Sequence, residues 1–266
     1  MKKEKTTKMF KLRNWIKKDK LYWTMLSSNP RAIQLLEANQ HKIDWEALSE
    51  NPEAITLLEE NPDKVSWHLL SANPKAIHLL EANPEKQWRA LCENPAAIDI
   101  LEVNPDKIEW DMLSCNPTAI HLLQANLDKI DWDNLSSNPA AIHLLEKNPD
   151  KIYWEFLSSI PEAIHLLEAN QDKIYWEFLS CNPAAIHLLE QNQDKIDWFY
   201  LSKNPAAIHL LEANQDKINW FHLSINPAIF EYDYKGMKEN TSVFTEELMA
   251  KCFHPTNLDK FEAWGF

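Results

Sequence analysis

Histidines recur in register along this chain. His78, His121, His143, His165, His187 and His209 are spaced by 22 residues, with one interval of 43. A row of imidazoles is raw material for a metal site, since neutral His is a common zinc ligand. Zinc needs its ligand nitrogens within ~2.0–2.1 Å of one ion, whereas side chains on successive packed helices stand ~8–10 Å apart. The expected role is therefore structural, each His hydrogen-bonding a neighbouring repeat. A ladder that repels itself once charged near a pKa of ~6.5 is one alternative, and a row of metal or anion sites is another. Lysines form a second column: Lys20, Lys42, Lys64, Lys86, Lys107, Lys129, Lys151, Lys173, Lys195 and Lys217. Acids form a third at Glu37, Glu59, Glu81, Glu102, Glu146, Glu168, Glu190 and Glu212. Opposed columns predict Lys–Glu pairs, each worth only ~0–1 kcal/mol if exposed.

None of these columns composes an active site. Catalysis needs one special constellation, and here every His and Asp repeats with its surroundings. No HExxH or GxSxG is present. Glycine occurs only at Gly236 and Gly265, so no phosphate-cradling glycine loop can be written. Cys92, Cys115, Cys181 and Cys252 lack CxxC spacing and read as reduced thiols of a cytosolic protein. No enzyme activity, metal or cofactor is expected.

The columns imply an element that repeats. Trp23, Trp45, Trp67, Trp88, Trp110, Trp132, Trp154, Trp176, Trp198 and Trp220 are 22 residues apart, except for one step of 21. Proline keeps the same phase from Pro30 to Pro227. The unit reads N-x-D-K-I-x-W-x-x-L-S-x-N-P-x-A-I-x-L-L-E-x. Fixed periods of this length mark solenoids and related arrays. Asn51-Pro52 supplies a helix cap and a first helical residue. Ala54, Ile55, Leu57 and Leu58 then make one apolar stripe. Asn61 is expected to stop that helix in the left-handed conformation. In the other half, Asn39 opens a turn through Lys42, and a helix capped by Asp44 runs from Trp45 to Ser49. Ile43 and Trp45 cannot share a helical face, so Ile43 precedes the helix or packs on a different neighbour. The periodic tryptophans are expected in the core.

The resulting expectation is an all-α, right-handed α-solenoid of about ten 22-residue helix-turn-helix repeats with capping ends. Residues 1–16 are a basic arm and cap, 17–230 the repeats, and 231–266 an irregular helical C-terminal cap. Phe10, Leu12, Trp15 and Ile16 are candidates to cover the first repeat. Stacked units bury stripes that no single unit can, and ten of them predict a curved rod of roughly 80–100 Å.

Net charge is −13 and uneven: residues 1–20 hold nine Lys/Arg against two acids, +7, which leaves −20 on the other 246. So acidic a body is a poor nucleic-acid binder, because that affinity rests on neutralising phosphates. No apolar run approaches the ~20 residues that span a bilayer, and the first residues lack the apolar stretch of a secretory signal. The protein is expected in the cytoplasm. The positions flanking each Trp vary, and in the C-terminal half they become aromatic: Tyr153, Phe156, Tyr175, Phe178, Phe199, Tyr200 and Phe221. Aromatic anchors dominate interface energies, so these residues are the candidate partner-binding patch; a bulkier local core is the competing reading.

The NPxAIxLLE and DKIxWxxLS halves resemble the tandem repeats of proteins encoded by giant DNA viruses, the mimivirus-like group and its relatives. The tail EELMAKCFHPTNLDKFEAWGF is similar to their closing segment. The resemblance covers nearly the whole chain, with two departures: Ile160 stands where other units have the capping Asn, and the fourth unit is one residue short. It implies a viral protein in the cytoplasm of an infected cell or in the virion, and it carries over no catalytic residue. The functional expectation is a non-enzymatic scaffold that binds a protein or peptide along one face. A structural component of the virion or viral factory is the alternative, and a repeat-type RNA reader a distant third.

Overall fold

The computed structural model describes residues 9–238, apart from Ala82, Pro84 and Glu85. The chain divides into two compact units, Trp15–Ile229 and a second formed by Met1–Asn14 with Phe230–Phe266. Repeats are numbered 1 to 10 below by their tryptophans, Trp23 to Trp220.

Within Trp15–Ile229 the architecture is an all-α repeat solenoid. Each repeat carries a short helix that begins at its Trp, such as Trp45–Ser49, and repeats 1 to 9 a second that begins at an Ile, such as Ile55–Glu59. In most repeats a 3-10 turn of Pro-x-Ala leads into the second helix, as at Pro30–Ala32. Another 3-10 turn, as at Gln40–Lys42, opens the next repeat and leads to its Trp helix. Helices of five residues are far below the length that holds by itself in water, so their stability comes from caps and packing. Asp44 caps as expected, its Oδ1 accepting from Ala47 N at 3.0 Å. Ile43 precedes the helix in extended backbone and is buried. The helix stop works differently from the expectation. Asn61 has φ −135° and ψ 58°, outside the left-handed region. Its side-chain amide donates to Leu57 O, four residues back, at 2.9 Å. The amide thus takes the place of the next helical N–H and satisfies a carbonyl that the helix end would orphan.

Leucine, alanine and small polar residues make the core. Leu48, Ala54 and Leu58, with their counterparts in the other repeats, are fully buried. The tryptophans are only half-buried, which corrects their placement in the core. Eight of the ten interfaces between repeats are instead held by a buried Ser and a buried Asn; Cys92 takes the Ser position in repeat 4, its Sγ accepting from Glu109 N at 3.3 Å, and Ile160 the Asn position in repeat 7. Ser27 Oγ accepts from Asp44 N of the next repeat at 3.0 Å and donates to Trp23 O within its own at 2.8 Å. Asn51 Nδ2 donates back to Ser27 O at 2.8 Å and to Asn29 O at 3.1 Å, while its Oδ1 caps Glu53 N at 3.0 Å. One side chain therefore starts its own helix and ties it to the preceding repeat.

This ladder has no free end. Asn29 of repeat 1 donates to Ser224 O at 3.0 Å and Asn226 O at 3.2 Å of repeat 10, and Tyr22 N donates to Ser224 Oγ at 2.9 Å. Those are the bonds that Asn51 and Asp44 make with repeat 1. The first Trp helix packs on the last, and the Pro-x-Ala turn of repeat 1 packs on that of repeat 10. The expected curved rod is therefore a closed ring, in which the terminal repeats cap each other. A head-to-tail interface closes when its rotations sum to a full turn, here about 36° for each of ten steps. The perimeter of roughly 80–100 Å is wrapped into a circle about 25–32 Å across at the level of the packed helices.

The sequence irregularities leave the ring intact. The short repeat 4 still places Asn94 Nδ2 on Ser71 O at 2.9 Å and Asn73 O at 3.1 Å. Its missing residue comes from the turn before Trp88, where the other repeats have Ile, Leu21 or Val65 between Lys and the residue preceding Trp. At Ile160 the amide contacts are lost, while Tyr153 N still donates to Ser136 Oγ at 2.9 Å.

In the second unit, β1 (Phe10–Leu12) pairs antiparallel with β2 (Phe230–Tyr232). These segments were expected to belong to a basic arm and a helical cap. Alternation in Phe-Lys-Leu and Phe-Glu-Tyr favours the strand instead: Phe10 faces Tyr232 with ring centroids 4.9 Å apart, and Lys11 pairs with Glu231 at 3.4 Å. The expected C-terminal helices fall mostly beyond residue 238, outside the described residues.

Candidate functional site

The columns form contacts between adjacent repeats, with partners other than those expected. Each His bonds the preceding repeat: His187 Nε2 lies 2.8 Å from Glu168 Oε1, His121 Nε2 2.8 Å from Glu102 Oε1, and His143 Nε2 3.0 Å from Gln124. Glu59, Glu102, Glu146, Glu168 and Glu190 thus meet histidines, and the expected Lys–Glu columns do not pair. Most of the lysines lie over a tryptophan, while Lys107 pairs with Asp106 at 3.0 Å. Lys195 Nζ is 4.4 Å from the ring centroid of Trp176, Lys173 is 4.6 Å from Trp154, and Lys42 is 4.6 Å from Trp23. Lys20 over Trp220 at 5.2 Å continues the series across the closure. The reason is reach: the Trp ring is only half-buried, and its face attracts a cation carried by the next turn. Where repeat 4 is short, Lys86 lies instead over its own Trp88 at 5.7 Å. These columns repeat around the ring and offer no distinctive site. Among the described residues no group of three or more His, Cys, Asp or Glu is placed to hold a metal ion. Burial raises the thiols of Cys92, Cys115 and Cys181 above their usual range, which keeps them protonated and weakly nucleophilic.

One arc of the ring is distinctive. The Trp helix fixes three positions: the residue before Trp, the one after it, and the next. Repeats 7 to 10 each fill two of these with rings. Tyr153, Tyr175, Phe199 and Phe221 are exposed, while Phe156, Phe178 and Tyr200 are half-buried. Phe178 meets Tyr200 at 5.4 Å between centroids, Tyr200 meets Phe199 at 5.3 Å, and Phe199 meets His222 edge-on at 3.9 Å. Phe221 stands against Tyr22 of repeat 1 at 5.4 Å, and Phe221 and His222 are 5.5 Å apart. Six rings thus run from repeat 8 across the closure to repeat 1. Tyr153 contacts Phe156 at 4.9 Å in a separate pair, and among the described residues Tyr175 makes no ring contact.

Two members of this arc escaped the sequence reading. His222 lies off the His column, in the place of Phe178 and Tyr200, and that phase was its only signal. Tyr22 sits at the opposite end of the sequence, and only closure brings it to Phe221. His222 is held below its usual pKa by burial and by the nearby Lys203 charge, with Asp197 opposing. Its Nδ1 is buried without a hydrogen-bond partner among the described residues, so a charged ring is disfavoured there.

Carboxylates border the arc at repeats 7 and 8. Tyr153 donates its hydroxyl proton to Glu155 Oε2 at 3.1 Å, and that bond raises the phenol pKa. An open groove of about 470 Å³ separates Tyr153 from Tyr175, with Glu155 and Asp172 on its walls. No helix among the described residues is long and apolar enough to cross a membrane. No family model, curated protein or solved structure matches this chain.

Proposed function

We propose that the ring is a non-enzymatic scaffold that binds a protein or peptide along its aromatic arc. The observation that carries this reading is the continuous run of partly exposed rings from Phe178 to Tyr22. Such rings bury large area at little entropic cost, and clusters of them anchor interfaces. The rest of the ring supports the same reading, since its columns are occupied in tying repeats together and leave the variable positions to discriminate among partners. The −20 charge outside residues 1–20 speaks against nucleic acid as the partner. Taken with the resemblance to giant-virus repeat proteins, the reading places the protein in the cytoplasm of an infected cell or in the virion.

The test is affinity capture from infected cells with the full chain, beside a Phe199→Ser/Phe221→Ser variant. Both side chains are exposed, so the variant is expected to keep the wild-type circular dichroism and lose the principal captured protein. Equal recovery by a folded variant overturns the reading.

A further inference from the structure

We infer that the partner segment is basic, and that arginine side chains at alternate positions of an extended peptide seat on either side of Tyr175. This inference rests on the scaffold reading above and names the chemistry of the partner. Tyr175 borders two open grooves. The first, about 470 Å³, lies between Tyr153 and Tyr175 and carries Glu155 and Asp172. The second, about 400 Å³, is bordered by Glu155, Tyr175, Glu177 and Phe178. Each groove therefore joins the Tyr175 ring to two carboxylates. Asp172 and Glu177 are exposed. Tyr175 is 50% exposed, and among the described residues no ring or cation covers it.

Among the described residues the only base lining either groove is Lys173, and its ammonium is already placed over Trp154 at 4.6 Å. That contact shows the local recipe, a cation laid on an aromatic face, already fulfilled on Trp154 and open on Tyr175. Guanidinium fits the recipe better than ammonium, because it stacks flat on a ring while its fork engages a carboxylate. The blocks Tyr153-Trp154-Glu155-Phe156 and Tyr175-Trp176-Glu177-Phe178 are identical, so this combination is built twice in succession and nowhere else in the chain. Alternate residues of an extended strand point to one side and lie about 6.6 Å apart, which suits two seats that share one ring.

The probe is a fluorescein-labelled Gly-Arg-Ser-Arg-Ser-Arg-Gly peptide, titrated with the full chain by anisotropy at about 25 and 150 mM NaCl, a range over which exposed charge is increasingly screened. The control peptide has every Arg replaced by Gln. The expected result is saturable binding of the arginine peptide alone, weakened about tenfold or more by Tyr175→Ser and by Glu155→Gln/Glu177→Gln, as befits loss of an interface anchor. Glu60→Gln/Asp63→Asn removes the same charge from exposed positions on repeats 2 and 3, and is expected to weaken binding less than about twofold, as distant screened charges do. The inference is overturned if the arginine peptide fails to bind at low salt, if the Gln peptide binds equally well, or if the distant pair weakens binding as much as the groove variants. Arc-dependent capture that persists in any of those cases leaves the scaffold reading standing and removes only the basic segment. Loss of arc-dependent capture removes the scaffold reading itself.

Discussion

Replacing Asn29 with alanine takes one side chain from the seam where repeat 10 meets repeat 1. In the ring that side chain makes three hydrogen bonds with no exposed surface: Nδ2 to Ser224 O and Asn226 O, and Oδ1 from Arg31 N at 3.0 Å. Loss of the cap costs about 1 kcal/mol. Each amide bond contributes about 0.5–1.5 kcal/mol net, and the two carbonyls stay behind in a buried site. The expected loss is about 2–4 kcal/mol in total. For a domain of this size that lowers Tm by about 2–4 °C per kcal/mol, or roughly 4–16 °C. In an open rod Asn29 lies at an end with no repeat behind it, and only the cap, about 1 kcal/mol, is lost. Asn204→Ala is the internal standard, because Asn204 makes the same three bonds at 3.0 Å inside the array. The assay is urea and thermal unfolding followed at 222 nm, with an unchanged m-value as the condition for comparing midpoints. Closure predicts that the two variants lose equal stability. An Asn29→Ala loss no larger than about half of that of Asn204→Ala, the ratio set by the cap alone, refutes the ring.

Leu201 is fully buried in the first helix of repeat 9, and Leu201→Ala is expected to cost about 2–5 kcal/mol in the same unfolding assay. The His–Glu column is exposed, so a double-mutant cycle on His187 and Glu168, 2.8 Å apart, is expected to return a coupling of only about 0–1 kcal/mol; a much larger value contradicts a solvent-screened pair. His222, held below its ordinary value of 6.5 by burial and Lys203, binds its proton more readily in the unfolded chain. Its neutral form therefore stabilises the fold fully above the unfolded pKa, and that contribution is lost as pH falls from there through the folded value. His222→Leu is expected to flatten this part of the stability–pH curve, read as the urea midpoint between pH 7 and pH 5, about the span over which imidazole titrates; an unchanged slope refutes the assignment.

Much of each repeat is legible in its residues because the forces that shape it are local. Asp44 caps the helix that Trp45 begins, Asn51 caps the next turn, and Leu48, Ala54 and Leu58 are spaced to face inward. Where local reasoning went astray, a longer-range partner decided the outcome. Most of the lysines, read against the acids by charge alone, lie on the tryptophan of the preceding repeat, and most of the acids meet histidines. Asn51 could be read as a cap because Pro follows it, but its second task, donating to two carbonyls 22 and 24 residues back, leaves no local trace. The same holds at the candidate site. The aromatic residues of repeats 7 to 10 stand out by position, whereas their division into exposed and half-buried rings depends on packing against the next repeat.

The sequence alone determined the repeat, its two helices, its caps and its buried columns, since these follow from spacing and side-chain chemistry within about 22 residues. Closure was decided only in the tertiary structure. The turn from one repeat to the next is set by small differences in packing distance between the faces of a repeat, and no residue type encodes it. Multiplied over ten repeats it settles whether the ends part or meet. Because they meet, Asn29 has a partner, and Tyr22 joins Phe221 some 200 residues away in one aromatic surface.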